Sequence, residues 1–313
     1  MQATLIYNPN SGSAGRVTSD ELLEALLRAG YYPVYKATSS EQDLDAILSS
    51  HRGGLVVVAG GDGTVRAVAT RLIRKKTPIA ILPLGTANNI SKTLGIRGEP
   101  WEIIAGLSEP RKCYFDVGHV LSPWGEDYFL EAFGFGLYAE LLAEYEPEKG
   151  KSILRSISTA TKVMSDFTAP ECKITLDGKT IPGKFLMVEA LNTTAFGPRL
   201  KVAPDADPSD GVFELVRIDE QNRDSVLAYL AGLVAEEFDE LPSVDVSCGK
   251  RLEITWDGSH VHVDAEVRPE TVDKPRGLSP AGGVRPAVSS NPNRRGKIRV
   301  KLLHKAIEFW LPK

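Results

Sequence analysis

Three short glycine-rich segments contain the residue types that bind phosphate groups. Each follows a short apolar run: residues 8–15 read NPNSGSAG, residues 60–64 read GGDGT, and residues 83–89 read PLGTANN. Glycine lets the backbone approach an anion closely, and free amides at the start of a following helix attract negative charge. One such segment could be no more than a tight turn, but three at one sheet edge favour a phosphate site. Neither a Walker A sequence nor a GxGxxG motif is present, so neither a P-loop protein nor the usual dinucleotide-binding Rossmann protein is expected.

Acidic side chains occur at two places where they could hold a cation. Asp62 lies inside the second segment, where it could organise Mg²⁺ and phosphate or, alternatively, cap a helix or an Asx turn. Asp205, Asp207 and Asp210 fall in one short loop. Such a loop suits a hard cation, and the plainer alternative is a solvated acidic loop.

The first ~110 residues alternate between strand and helix patterns, which would place these segments at strand ends. Thr18 and Glu21 predict a capping box at the start of a leucine-rich helix. Strands are predicted at 3–7, 32–36, 55–59 and 79–82. In a parallel sheet the carboxyl ends of the strands form the ligand-binding edge.

The rest of the chain predicts an antiparallel sandwich, because many strands follow one another with few helices between them. Asp177-Gly178 and Asp257-Gly258 predict hairpin turns, and residues 269–296 predict a loop or a disordered insertion. Strands are predicted at 114–117, 128–133, 173–176, 185–191, 212–216, 252–256, 261–264, 297–303 and 307–311, and helices near 137–167 and 221–237.

Composition excludes several classes of protein. The chain has 313 residues, 25% of them charged and 42% hydrophobic, with a formal charge of −4. This is typical of a soluble protein of about two domains and gives no electrostatic footprint for nucleic acid. No apolar run reaches the ~18 residues of a membrane span, and the N-terminus does not resemble a signal peptide. Three separated cysteines make neither a disulfide framework nor a metal site, which favours a reducing compartment such as the cytoplasm.

The motifs together resemble those of the diacylglycerol kinase-like lipid kinases, a group that includes sphingosine and ceramide kinases and is related to NAD kinases. The three segments match in order and spacing, and the resemblance continues at 204–211 (PDADPSDG) and, more weakly, at 264–266 (DAE). The resemblance implies an α/β fold: an N-terminal three-layer α/β nucleotide-binding domain at 1–111 plus 297–313, and a C-terminal antiparallel β-sandwich domain at 112–296.

The resemblance also implies the roles of individual residues. The nucleotide, ATP, would contact Asn8, Ser11, Thr38, Gly60, Gly61, Asp62, Gly63, Thr64 and Thr86. Glu266 would be the general base that takes the proton of a lipid hydroxyl, with Asp62 as the rival base. A structural Mg²⁺ would take the carboxylate of Asp210 and the carbonyls of Asp207 and Val212.

Three positions depart from the family pattern. Arg66 stands where the family often has Asn, and Asn89 where many members have Asp. Ala265 replaces the Gly of Asp-Gly-Glu, and it would be strained if that position required positive φ. Ala265 and Asn89 keep open the alternative of a nucleotide- or lipid-binding regulatory protein that has lost catalysis.

The expected function is a Mg²⁺-dependent, ATP-dependent lipid kinase that acts on diacylglycerol or a related lipid. A kinase of the same superfamily with a soluble substrate is the alternative. The expected location is cytoplasmic with peripheral membrane association, without a transmembrane segment and without nucleic acid, and the chain is compatible with a homodimer. The apolar stretch 226–234 would be a buried helix or line a lipid groove, and the basic residues around 297–301 would be a solvated strand face or dock on anionic lipid.

Overall fold

The fold is taken from a computed structural model that describes residues 1–37, 41–144, 167–169, 171–221, 224–269 and 296–313. The structure confirms the expected architecture, with an α/β half at the N-terminus and a β-sandwich half after it. The long predicted helix near 137–167 is described only over its first part, Leu137–Glu144. The predicted loop at 269–296 lies almost wholly outside the described residues.

The N-terminal half is built on a parallel sheet with the strand order β4-β3-β1-β2. All six residues of β3 are buried, as an apolar run in a sheet covered on both faces should be. Thr18 and Glu21 form the predicted capping box. The strands are β1 (Gln2–Tyr7), β2 (Tyr32–Ala37), β3 (Leu55–Gly60) and β4 (Ile79–Pro83), and the helices are α1 (Ser19–Arg28), α2 (Glu41–Ser50), α3 (Asp62–Arg71), α4 (Asn89–Thr93) and α5 (Pro100–Gly106).

The second half is dominated by antiparallel strands. The strands are β5 (Arg111–Ser122), β6 (Gly125–Phe129), β7 (Ala132–Gly136), β8 (Glu171–Leu176), β9 (Lys179–Leu191), β10 (Ala195–Phe196), β11 (Leu200–Lys201), β12 (Phe213–Asp219), β13 (Val244–Gly249), β14 (Arg251–Trp256), β15 (Val261–Val263), β16 (Glu266–Arg268) and β17 (Gly296–Leu311). Two helices, α6 (Leu137–Glu144) and α7 (Val226–Ala235), accompany them.

One of the two predicted hairpin turns is confirmed and the other is wrong. Asp177 and Gly178 both have positive φ, and they join β8 to β9 in an antiparallel pair. Asp257-Gly258 does not close a hairpin, because β14 pairs with β8 and β17, whereas β15 pairs with β7 and β16. This turn therefore carries the chain between different parts of the sandwich.

The last strand, β17, joins the two halves. Its first residues pair with β14 of the sandwich, and Phe309 pairs with Ile79 of β4. The two strands predicted at 297–303 and 307–311 are thus one strand, with a register shift between Leu303 and Ile307 where it pairs with β5. The apolar cores follow the same division: Phe309 lies in the core of the α/β half and Ile298 in that of the sandwich.

Within the described part of the chain, no helix is long and apolar enough to cross a membrane. Helix α7 buries Tyr229, while Val234 near its end is 87% exposed. The apolar sequence of this stretch would allow a helix that is buried on all sides. The exposure of Val234 shows that this helix is not.

Candidate active site

The three glycine-rich segments meet at the carboxyl edge of the parallel sheet. Asn8 Nδ2 at the end of β1 donates to Thr64 Oγ1 in α3 at 2.9 Å. The amide of Ser13 donates to the carbonyl of Leu84 at 2.8 Å, and the amide of Leu84 donates to the carbonyl of Gly60 at 2.9 Å. The predicted edge is thus one continuous surface.

Close backbone approach explains two of the glycines. A Cβ on Gly85 would lie 2.5 Å from Gly61 Cα, and one on Gly61 would lie 3.0 Å from Gly85 Cα. Any side chain at either position would push the second and third segments apart. Asn88, with φ +54°, closes the third segment by exchanging two 2.9 Å hydrogen bonds with the backbone of Gly85.

Gly63 has no such internal reason to be glycine. A Cβ there would meet nothing within 4 Å, and the residue lies in the first turn of α3 without a positive φ. Alanine would suit a helix better than glycine by about 0.5–1 kcal/mol. The open space beside Gly63 is therefore accessible to a ligand at the helix N-terminus.

Asp62 lies between two helix starts. It is the first residue of α3, and its Oδ1 accepts a hydrogen bond from the Ile90 amide of α4 at 3.1 Å. Burial raises the pKa of Asp62, as does the negative charge of Asp264, while the amides of residues 88–90 oppose the rise. The helix-capping alternative thus holds for α4, and the same carboxyl binds amides at the end of the third glycine-rich segment.

Glu266 lies on β16, where two arginines bind it. Arg66 Nη1 of α3 is 3.1 Å from Glu266 Oε1, and Arg268 Nη2 pairs with Glu266 Oε2. Arg66 is itself buried and also contacts Asp264 Oδ2 at 2.9 Å. Arg66, one of the departures, thus ties the sandwich carboxylates to the helix that carries Asp62.

Asp264, which precedes Glu266 by two residues, has a left-handed backbone conformation. Its φ is +53°, and Ala265 is not among the positive-φ residues, so the expected strain at Ala265 is absent. The Asp264 carboxylate accepts the amides of Leu130, Glu131 and Ala132 at 3.1, 2.8 and 3.0 Å. These bonds replace strand pairing there, which is why the strand predicted at 128–133 is divided into β6 and β7.

Glu131, in this break, is a site residue that sequence reasoning missed. Asn89 Nδ2 donates to Glu131 Oε2 at 2.8 Å, and both side chains are buried. Burial, and then the charges of Asp62 and Asp264, raise the pKa of Glu131 well above its usual range. The signal that could have found it is a single acidic residue inside the apolar stretch 128–136.

Two carboxylates of the acidic loop accept hydrogen bonds from backbone amides close by in the chain. Asp207 Oδ1 accepts the Ser209 amide at 2.9 Å, and Asp210 Oδ1 accepts the Val212 amide at 2.9 Å. No group of three His, Cys, Asp or Glu side chains in the described residues is placed to hold a metal ion. A site made of one carboxylate and backbone carbonyls, as predicted, is a different arrangement and stays a prediction.

The remaining predicted nucleotide contacts divide into two groups. Ser11 donates its amide to the carbonyl of Asn8 at 3.2 Å, and Thr86 Oγ1 lies 2.7 Å from the position of a Cβ on Gly12, so both belong to the converging segments. The Thr86 carbonyl also accepts a hydrogen bond from Arg199 of the sandwich half. Thr38 lies outside the described residues.

Comparison with known proteins agrees with this geometry. Residues 2–120 match the model of the diacylglycerol kinase catalytic domain, and residues 147–280 match that of the YegS C-terminal NAD kinase beta sandwich-like domain. The chain is 26% identical over 283 residues to the diacylglycerol kinase of Bacillus subtilis (strain 168), covering 83% of this chain and 90% of that protein. It is 27% identical over 234 residues to the diacylglycerol kinase of Staphylococcus aureus (strain JH9), covering 71% of each.

Solved structures show the same fold. A diacylglycerol kinase structure from Bacillus anthracis str. Sterne has a TM-score of 0.66 at 17% identity, covering 99% of this chain and 96% of that one. Another structure from the same organism has a TM-score of 0.71 at 20% identity, covering 99% and 95%. At such low sequence identities, these structures support the fold and nothing beyond it. With the two domain matches, which lie in the expected order, the chain belongs to the diacylglycerol kinase-like lipid kinase family.

Proposed function

We propose that this kinase transfers the γ-phosphoryl group of ATP to the hydroxyl of a neutral lipid such as diacylglycerol. The observation that carries the proposal is the joining of three glycine-rich segments into one edge, with open space at Gly63 beside the start of α3. Backbone amides there suit phosphate groups, because the positive end of the helix dipole faces the anion. The carboxylates of Asp62 and Glu266 lie around the same helix.

Each group has a role in phosphoryl transfer, which depends mainly on positioning and on charge neutralisation. The converging segments, with Thr64 and Thr86, bind the nucleotide. Glu266 takes the proton of the lipid hydroxyl. Asp62 is the alternative base, because it lies at the same helix start as the proposed phosphate-binding amides.

Magnesium would neutralise phosphate charge, and the available donors fit it, since Mg²⁺ prefers carboxylate oxygen and few protein ligands. Asp62 would hold the ion that accompanies ATP. Asp210, with the carbonyls of Asp207 and Val212, would hold a structural ion. For the second site we expect Asp210→Ala to abolish any rise in melting temperature on adding Mg²⁺. An equal rise in the wild-type protein and the variant would contradict it.

The lipid would reach the site from a membrane surface, to which the protein attaches peripherally from the cytoplasm. The exposed Val234 at the end of α7 supports an apolar contact there. The test is transfer of radiolabelled γ-phosphate from Mg²⁺-ATP to a total lipid extract, followed by chromatography and mass spectrometry. A labelled lipid supports the proposal and identifies the acceptor. Absence of any labelled lipid, with ATP binding intact, overturns it and favours a soluble acceptor or a binding protein.

A further inference from the structure

Asn89 and Glu131 form a buried hydrogen-bonded pair beside the candidate active site. Asn89 is 2% exposed and Glu131 is 6% exposed. Asn89 Nδ2 donates to Glu131 Oε2 at 2.8 Å and to the carbonyl of Gly197 at 2.9 Å. A backbone carbonyl can only accept, so the amide nitrogen must face Gly197. Both amide hydrogens are then used, and the orientation of the Asn89 side chain is fixed.

This orientation leaves the Asn89 Oδ1 atom as a buried acceptor. It has no hydrogen-bond partner among the residues that the structure describes. Buried acceptors without a donor are uncommon and unfavourable, so this atom is suited to a donor from a ligand. The backbone amide of Asn89 bonds Asp62, which places the residue next to the carboxyl proposed to organise phosphate. In the proposed reaction, the hydrogen-bond donor that arrives here is the lipid hydroxyl to which the phosphoryl group is transferred.

We propose that Glu131 is a positioning residue of this kinase, holding the Asn89 amide so that Oδ1 accepts the hydrogen bond of the lipid hydroxyl that is phosphorylated. The inference rests on the proposed function. It also explains the departure at Asn89: the carboxyl that many family members carry at this position lies one hydrogen bond away, on Glu131. The amide oxygen is too weak a base to take the proton, so it orients the hydroxyl before the hydroxyl's single proton passes to the general base.

The surroundings of Glu131 determine which substitutions are informative. The charged and titratable groups that face it are Asp62 and Arg66 of α3, Asp264 of the turn before β16, and Tyr138 of α6. Burial, and then the charges of Asp62 and Asp264, raise its pKa, which favours the neutral acid. Glutamine is neutral, has the same shape and keeps an acceptor oxygen. Methionine has similar length and no such acceptor.

The experiment measures kcat and the KM for ATP with the lipid that the wild-type protein labels. Glu131→Gln should keep kcat within about threefold of wild type, whereas Glu131→Met should lower it at least tenfold with the ATP KM within about twofold. Glu126→Met, at the 53% exposed position on β6, is the matched control and should keep wild-type kcat. Asn89→Ala should lower kcat as Glu131→Met does, and the double variant should lose no more than either single variant.

The outcomes separate the inference from the function on which it rests. If the wild-type protein labels no lipid, the proposed function fails, and the inference fails with it. If the wild-type protein is active and Glu131→Met keeps its kcat, or the losses of the two single variants multiply, the inference alone is overturned. Should Glu131→Met not fold, Asn89→Ala decides: a kcat unchanged from wild type overturns the inference.

Discussion

At the scale of single residues, the site is a group of carboxylates with two arginines, Arg66 and Arg268, among them. Arg66 contacts Asp264 and Glu266 directly, while Asp62 and Glu131 carry raised pKa values because burial disfavours their charged forms. The four acids therefore outnumber the two arginines that pair with members of the group. Such an excess of acid is costly for stability and is expected where a site binds a cation or transfers a proton.

Glu131→Gln should gain stability relative to the wild-type protein as pH rises from 5 to 8. The folded-state pKa of Glu131 lies above the ordinary value of 4.5. Between these two values the folded state binds more protons than the unfolded chain, so wild-type stability falls as pH rises. Glutamine cannot titrate and removes this loss. Urea unfolding of both proteins at pH 5 and pH 8 measures the difference, and a difference independent of pH would contradict the prediction.

Glu266→Gln should lower kcat about 100-fold or more, because a positioned base contributes roughly 10²–10⁴-fold. The fold should survive, since a glutamine at this position can still accept hydrogen bonds from Arg66 and Arg268. Asp62→Asn should lower kcat and also raise the KM for Mg²⁺-ATP, because it weakens the proposed ion site. Steady-state kinetics with circular dichroism as the folding control distinguishes them. Near-wild-type turnover in Glu266→Gln would transfer the role of base to Asp62.

A site residue can be predicted from the sequence where a short motif includes it. It cannot be predicted where only tertiary contacts bring it to the site. Asp62 and Glu266 belong to short motifs, but the ion pair between Arg66 and Glu266 cannot be predicted from the sequence, since the two residues are 200 positions apart in the chain. The condition for strain at Ala265, a positive φ, is not met there, because the preceding residue, Asp264, takes the positive φ. Glu131 follows no motif, and only the folded chain brings it to Asn89.

At the scale of elements, the turns divide into glycines that the protein's own packing requires and a glycine that it does not. Gly85→Ala should destabilise the protein, because its Cβ would lie 2.5 Å from Gly61 Cα and 2.6 Å from Asn88 Oδ1. Gly63→Ala, with open space around it, should keep or slightly raise stability and yet weaken ATP binding. Thermal unfolding and ATP titration of both variants test this division. Unchanged ATP affinity in Gly63→Ala would argue against phosphate at that place.

The basic face of β17 shows how an element's partners limit a charge pattern. Lys297 and Arg299 both pair with Glu253 on β14, with Lys297 Nζ at 2.5 Å and Arg299 Nε at 3.2 Å from its carboxylate. The two positive charges near the pair of strands are thus partly compensated. This favours the solvated strand face over docking on anionic lipid for this part of the strand.

Elements in the α/β half were easier to predict than the order of strands in the sandwich. An apolar run such as β3 predicts a buried strand, and a local capping box such as that of Thr18 and Glu21 predicts a helix start. Strand pairing in the sandwich depends on partners far along the chain, so the Asp257-Gly258 turn resembled a hairpin although its flanking strands pair elsewhere. Local turn chemistry does not determine such pairing.

At the scale of the whole molecule, one buried carboxylate connects the acidic loop to the strand that joins the two halves. Asp116 on β5 is fully buried, and its Oδ2 accepts the Gly211 amide of the acidic loop at 2.7 Å. Its Oδ1 accepts the Lys305 amide at 2.6 Å and His304 Nδ1 at 2.9 Å, both in the shifted part of β17. The acidic loop is thereby fixed to the strand that joins the sandwich to the α/β half.

Asp116→Ala should therefore cost about 3 kcal/mol or more of unfolding free energy. The substitution leaves the buried Gly211 amide and the part-buried Lys305 amide without their acceptor, and each buried donor left unsatisfied costs about 1–3 kcal/mol. Asp116→Asn keeps one acceptor oxygen and should lose less. The control is Asp245→Ala, which removes a 64% exposed partner of Arg217 and should cost under about 1 kcal/mol. Urea unfolding measures all three, and equal losses for Asp116→Ala and Asp245→Ala would show that the halves are joined by β17 pairing without this carboxylate.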